Sequence, residues 1–169
     1  MDAVDLLTQD HRKVEAIFMQ LQQEKGGQSQ QLLAQLYREL SLHAMAEENI
    51  FYPALASNTA MSGQLIDAFK EHGEMKAILG ELAALGNGPS GLSDRVTKLM
   101  KKVEHHVKDE EGKVFPAARE MLDKDRMQVL GQQIMEAKQM ALPGVQNSLP
   151  AMELGMGGSA STTGPQTFA

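Results

Sequence analysis

The sequence predicts an all-α protein: an up-down-up-down four-helix bundle with a short extra C-terminal helix and a flexible tail. Three observations lead there. Apolar residues recur at alternating spacings of three and four through four long stretches, separated by Gly-, Ser- and Asn-rich breaks. The chain also repeats itself. His43-Ala-Met-Ala-Glu47-Glu48-Asn-Ile-Phe-Tyr-Pro53 is echoed by His106-Val-Lys-Asp-Glu110-Glu111-Gly-Lys-Val-Phe-Pro116, and the stretch from His11 to Leu21 by the stretch from His72 to Leu82. Third, the histidines and glutamates of both copies fall on the apolar stripes. Two copies of a helical hairpin are too few for a solenoid, but closed on each other they make a four-helix bundle.

The first helix spans residues 5–24, with Leu7, His11, Val14, Phe18 and Leu21 on one stripe, Asp5 or Thr8 as its cap, and Gly26-Gly27 as its end. The second begins near Ser29 and turns Leu33, Leu36, Leu40, His43, Glu47, Ile50 and Ala54 inward. Pro53 marks a kink or the last turn, because proline disfavours a helix interior by about 3 kcal/mol. Ser57-Asn58-Thr59 breaks the pattern. The third helix, residues 62–85, presents Leu65, Phe69, His72, Met75 or Lys76, Leu79 and Leu82. Residues 86–91 are a loop. The fourth, residues 93–122, presents Val96, Leu99, Val103, His106, Glu110, Val114 and Ala117. Residues 123–139 form a short fifth helix with Met127, Leu130, Ile134 and Ala137 on one face. Residues 1–140 are thus the folded domain, and 141–169 read as a flexible Gly/Ser/Thr/Pro-rich tail, with residues 157–165 nearly pure linker in composition. Within it, residues 154–159 are either a docking peptide or plain linker.

Composition narrows the function. The chain has 169 residues, enough for one domain with a real core, and 12 methionines, which suit adaptable core filling. Its net charge of −6 argues against nonspecific nucleic-acid binding. The absence of cysteine excludes disulfides, zinc knuckles, iron–sulfur clusters and thiol nucleophiles. The acidic start Met-Asp-Ala-Val-Asp lacks the apolar region of a signal peptide, and no apolar run approaches a membrane span, so a cytoplasmic protein without membrane contacts is expected.

The candidate site is His11, His43, Glu47, His72, His106 and Glu110. A His and a Glu four apart share one helix face and can offer two ligands to one metal centre. A single inward His is usually a core histidine with one hydrogen bond. Four of them with two inward carboxylates call for a cation between Glu47 and Glu110, because an unpaired buried carboxylate costs several kcal/mol. The bland alternative is a solvated polar layer with shifted pKa values. Six nitrogen and oxygen donors are too many for one tetrahedral zinc; they suit two ions of higher coordination, iron or manganese, with zinc as a substitute. His105, about 100° around the helix from His106, reads as a flanking residue.

The ordered pattern H…HxxxE…H…HxxxE, with the doubled Glu and the trailing Tyr-Pro or Phe-Pro, resembles the hemerythrin-like HHE cation-binding domain family over residues 5–122. The resemblance implies a non-haem di-iron centre, oxo- or hydroxo-bridged, with His11, His43, Glu47, His72, His106 and Glu110 as ligands and the two glutamates as bridges. Oxygen-carrying members have a further His where this chain has Lys76, and an Asp five residues after the helix 4 His. This chain is similar instead to the four-histidine branch, associated with iron sensing, peroxide or nitrosative stress and catalase-like activity. Two functions are therefore expected as alternatives. One is a di-iron protein that reacts with peroxide, O2 or NO. The other is a non-catalytic iron- or oxygen-sensing module whose metal state controls partner binding.

Four further acids have two readings each: Glu48, Glu111, Asp10 and Glu71 either accept hydrogen bonds from the site imidazoles or belong to solvated helix faces. Tyr52 and Tyr37 either approach the site or sit at the bundle periphery.

Overall fold

A computed structural model of the chain describes residues 1–24, 27–85 and 91–147, and every regular element among them is helical. Helix α1 (Ala3–Gln23) is followed by α2 (Ser29–Ala46), a π-helical turn (Glu47–Phe51) and α3 (Tyr52–Leu55). A 3-10 turn (Thr59–Met61) leads into α4 (Ser62–Leu85). The second half repeats the first: α5 (Leu92–Asp109), a π-helical turn (Glu110–Val114) and α6 (Phe115–Met121), then α7 (Lys124–Asn147). Helix α1 packs on α2 and α4 on α5, and α7 lies across α1 and α2. This is the expected helical bundle with a fifth helix.

The ends follow local chemistry. Asp2, rather than Asp5 or Thr8, caps α1, its carboxylate accepting the Asp5 N–H at 2.9 Å. Asn58 accepts the Ala60 N–H at 3.0 Å and starts the 3-10 turn where the Ser-Asn-Thr break was expected. Gly91 opens α5 at φ 82°, a left-handed conformation in which a side chain is strained. The fifth helix is not short. It runs 24 residues, past Pro143, so residues 141–147 of the expected tail are helical. Residues 148–169, the expected loop at 86–90, and the Lys25-Gly26 pair lie outside the described residues. Gly131 lets α7 approach the chain start, since a Cβ there would stand 2.6 Å from the Met1 carbonyl oxygen.

Pro53 and Pro116 act before their own positions. The ring would meet the carbonyl four residues back, and the missing N–H removes that bond. The helix widens instead: Tyr52 N–H donates to Glu47 O and Phe115 N–H to Glu110 O, each five residues back. Each wide turn moves the inward stripe by one residue. Beyond Glu47 the buried residues are Phe51, Tyr52 and Leu55, whereas 3.6-residue periodicity points to Ile50 and Ala54, which are half-buried. Beyond Glu110, Val114 is buried as expected, but Phe115 and Ala118 take the place of Ala117.

Another expectation fails on α4. Phe69 is 44% exposed and Ala68 takes the inward place, because the buried Tyr52 ring fills that space and Phe69 packs edge-on against it from the rim, ring centroids 5.3 Å apart. Met75 is the inward residue of its pair, and the Lys76 side chain is 53% exposed.

The core has two apolar layers. One holds Leu7, Phe51, Leu55, Leu65, Phe115 and Leu130; the other holds Val14, Leu36, Leu40, Met75, Leu82 and Leu99. Burying each such side chain contributes about 1.5–3 kcal/mol. Between the layers, in chain register, sit the inward His and Glu residues.

Candidate metal centre

All six singled-out side chains are buried and converge in this middle layer. Glu47 Oε2 stands 3.1 Å from His43 Nε2, 3.2 Å from His72 Nε2 and 3.8 Å from His106 Nε2. Glu110 Oε2 stands 3.3 Å from His11 Nε2 and 3.4 Å from His106 Nε2. The imidazoles meet in pairs, His11 Nε2 3.2 Å from His43 Nε2 and His72 Nε2 3.0 Å from His106 Nε2. The donor atoms form two groups that share Glu47: His11, His43, Glu47 and Glu110, and Glu47, His72 and His106.

The outer ring nitrogens explain why the inner ones point inward. His11 Nδ1 donates to Glu111 at 2.8 Å, His43 Nδ1 to Asp10 at 3.3 Å, His72 Nδ1 to Glu48 at 2.9 Å and His106 Nδ1 to Glu71 at 2.8 Å. A carboxylate can only accept, so each places a proton on Nδ1 and, in the neutral ring, leaves the lone pair on Nε2. All four doubtful acids are thus imidazole acceptors. The pairing follows the sequence repeat: Glu111 and Glu48 reach across to the opposite half, and Asp10 and Glu71 reach to the neighbouring helix. Three of the four acids are themselves held by a lysine or arginine. Lys138 of α7 pairs with Asp10, Lys76 donates to Glu48 at 2.6 Å, and Arg12 pairs with Glu111.

The chemistry of the layer fits a cation. Glu47 Oε1 and Glu110 Oε2 are buried and accept no hydrogen bond, a costly state for a carboxylate unless a positive charge faces it. Part of that charge can be imidazolium. Burial works to lower the pKa of His43, but Glu47 and Asp10 overcome it and raise it to about 9. Burial opposes His106 in the same way, and Glu47 and Glu71 raise it to about 10. Glu47 is driven well below its ordinary value, His43 first and then the other imidazoles overcoming the effect of burial. Asp10 is brought to about 2 against its burial by His43 and Lys138. A divalent ion entering this layer therefore competes with protons on His43 and His106.

Tyr52 is the residue that periodicity undervalued. Its hydroxyl donates to Glu110 at 2.6 Å and lies 3.2 Å from Glu47 Oε2, joining the two carboxylates. Burial, then the two carboxylates, push its pKa up, so the phenol keeps its proton. The ring stacks on His72, centroids 5.8 Å apart, as Phe115 stacks on His11 at 5.6 Å in the other half. The signal was present in the repeat, where Tyr52 and Phe115 share an offset from His43 and His106; only the added hydroxyl distinguishes the halves. Tyr37 packs at the edge of the second apolar layer.

His106 is 2% exposed at its side chain and His105 is 62% exposed, as the helix register predicts. His106→Ala is accordingly expected to lower metal retention and alter the visible spectrum of the metal-loaded protein, while His105→Ala leaves the equilibrium spectrum and stoichiometry of the buried layer unchanged. The opposite result would place the fourth helix one residue out of register.

Two cavities adjoin the layer. One, about 30 Å³, lies above the four imidazoles and is walled by Val14, Leu40, Met75, Leu79, Val103 and Val107, with Lys76 at its edge. The other, about 40 Å³, lies between α4 and α5 and is polar, with Glu110 and His106 at its inner end.

Fold and site together define a helical bundle that holds a cation among buried imidazoles and carboxylates. The chain belongs to the hemerythrin HHE cation binding domain family, whose pattern matches residues 2–118. A DNA nickase of Nostoc sp. (strain PCC 7120 / SAG 25.82 / UTEX 2576) is 32% identical over 139 residues, covering 82% of this chain; the chain spans only 39% of that protein's length. The crystal structure of a hemerythrin HHE cation binding domain-containing protein from Mycobacterium kansasii has the same fold, with a TM-score of 0.75 and 21% identity, over 90% of this chain and 96% of the other. No helix among the described residues is long and apolar enough to cross a membrane.

Proposed function

We propose that this chain holds a non-haem di-iron centre on His11, His43, Glu47, His72, His106 and Glu110, and that it disproportionates peroxide or reacts with O2 or NO. The observation that carries the reading is the division of the donors into two groups sharing Glu47. Nitrogen and oxygen donors without sulfur suit iron, with manganese or zinc as substitutes. A bound pair of iron or manganese ions would supply two-electron exchange, which redox-inactive zinc would not: one peroxide is oxidised to O2, releasing two protons and two electrons, and a second takes these up to give two waters.

The chain's own residues shape what arrives and where protons sit. The chamber of about 30 Å³ has room for a molecule near the size of water, and its aliphatic wall favours small, uncharged ones. Lys76 at its edge is engaged by Glu48, and an ammonium group has no lone pair to offer a metal. Coordination positions near this chamber are thereby left to small molecules. The Tyr52 hydroxyl fixes the two carboxylates and holds a proton between them. Nucleic acid is not among the proposed partners. The nickase activity is that of a much longer relative, and a chain of net charge −6 makes a poor phosphate-binding surface.

Iron-loaded protein is expected to carry about two irons per chain and to evolve O2 from peroxide catalytically. Lys76→His places an imidazole one turn from His72 and is expected to suppress turnover, whereas Lys76→Ala retains it. Protein that forms a long-lived reversible O2 complex and leaves peroxide untouched would instead be a carrier or sensor.

A further inference from the structure

The two halves of the buried layer match except at their outer edges. Asp10, the acceptor for His43, is covered by α7 and engaged by Lys138, and its side chain is 7% exposed. Its counterpart Glu71, the acceptor for His106, is paired with no lysine or arginine among the described residues, and its side chain is 16% exposed. Its Oε2 accepts from His106 Nδ1 at 2.8 Å, and its Oε1 faces His105 Nε2 at 3.4 Å. Asp109 Oδ2 lies 4.0 Å from the same His105 nitrogen. Glu71, His105 and Asp109 thus bring one nitrogen and two oxygen donors within 4.8 Å of one another, at the bundle surface.

We propose that Glu71, His105 and Asp109 form an outer site for a divalent cation, which loads the buried centre through the polar cavity between α4 and α5. Two of the three outer residues, Glu71 and Asp109, share the lining of that cavity with His106 and Glu110 of the buried layer. Gln64 and Asp67 also line it, towards the outside. Glu110, 1% exposed, closes the route: its Oε1 accepts from Tyr52, and its Oε2 accepts no hydrogen bond and faces the His11 and His106 ring nitrogens. The alternative approach is the aliphatic chamber, where a cation would lose its hydration with nothing in exchange. In the polar cavity, carboxylate and amide oxygens replace water step by step. Glu71 serves both sites, one oxygen towards each histidine. Lys113 lines the cavity, opposes uptake and donates to Asp109 Oδ1 at 3.1 Å. Its side chain is 59% exposed, free to swing aside when a cation takes Asp109.

The inference rests on the reading of the buried layer as a metal centre, and the test separates the two. Metal-free full-length chain is mixed with Co2+, and the growth of its visible bands is followed by stopped flow; bound Co2+ per chain is counted after equilibration. His105→Ala and Asp109→Asn are expected to slow the growth of the bands about tenfold at low salt, while the final spectrum and the tightly held Co2+ match wild type. Lys113→Gln is expected to speed it. In equilibrium titrations, wild type shows a weaker additional equivalent that His105→Ala removes. Variants that load at the wild-type rate, with the same number of equivalents, overturn the outer site while leaving the buried centre standing. Wild type that ends with no tightly held Co2+ overturns the buried centre, and the loading route with it.

Discussion

Glu47→Gln is expected to reduce tightly held metal from about two ions per chain to one or none, the largest loss of any single substitution in the layer. Glutamine has nearly the same volume, so the change removes charge and leaves the packing. Glu47 Oε2 faces three imidazole nitrogens, and it is the one carboxylate grouped with His72 and His106. That group is left without an anionic donor. The other keeps Glu110, so Glu110→Gln is expected to cost less metal than Glu47→Gln. Metal-free protein suffers too, because the charge that raises His43 and His106 is gone. Removing one partner of a buried ion pair costs about 3–5 kcal/mol, which for a chain of this size lowers the melting temperature by roughly 10 °C. Elemental analysis after dialysis, with thermal unfolding of the metal-free forms, measures both effects. Unchanged metal content in Glu47→Gln would remove Glu47 from the centre.

Chelation is expected to lower the melting temperature little near pH 6 and by roughly 10 °C or more near pH 9, since an ion at a thousand times its dissociation constant adds about 4 kcal/mol. The pH dependence comes from the imidazoles. His43 and His106 have folded pKa values of about 9 and about 10, above the ordinary 6.5. Their stabilisation of the metal-free bundle is complete below pH 6.5 and is lost as the pH rises through 9 to 10. Asp10 and Glu47 run the other way. Both are depressed from ordinary values of 3.8 and 4.5, Asp10 to about 2, so their contribution is present above those values and is lost as the pH falls. The metal-free bundle is therefore most stable between about pH 4.5 and 6.5. Above that window the imidazolium contribution declines, and as the protons leave through pH 9 to 10 a metal ion becomes the counter-charge for Glu47 and Glu110. Thermal unfolding at pH 6 and pH 9, with and without chelator, tests this. A melting temperature indifferent to chelator at pH 9 would mean that the carboxylates find another counter-charge.

The imidazoles also qualify what an inward carboxylate implies. Two buried glutamates demand positive charge, and the repeat makes a metal the simplest source. The positions of His43 and His106 show a second source, internal to the chain and dependent on pH. On the proposed reading of the centre, protons and metal compete for the same Nε2 atoms, which already converge in the metal-free chain.

What the sequence determined by itself is what a single helix can encode. The bundle, its four arms and the inward turn of His11, His43, Glu47, His72, His106 and Glu110 follow from spacings of three and four, and those spacings are local. The separation of buried His106 from exposed His105 was legible for the same reason. Tertiary structure decided whatever depends on a neighbour. The wide turns before Pro53 and Pro116 shifted the stripe by one residue, brought Tyr52 between the two glutamates and left Phe69 at the rim; a strict 3.6-residue period has no place for the extra residue. Which acid serves which imidazole was also beyond periodicity, because Glu111 and Glu48 lie off the inward stripe of their own helices and meet His11 and His72 only where other helices bring those rings to them. The same holds for α7. Its apolar face was visible, but that Lys138 covers Asp10, while no lysine or arginine among the described residues pairs with Glu71, depends on where the helix docks, which the sequence of one element does not contain.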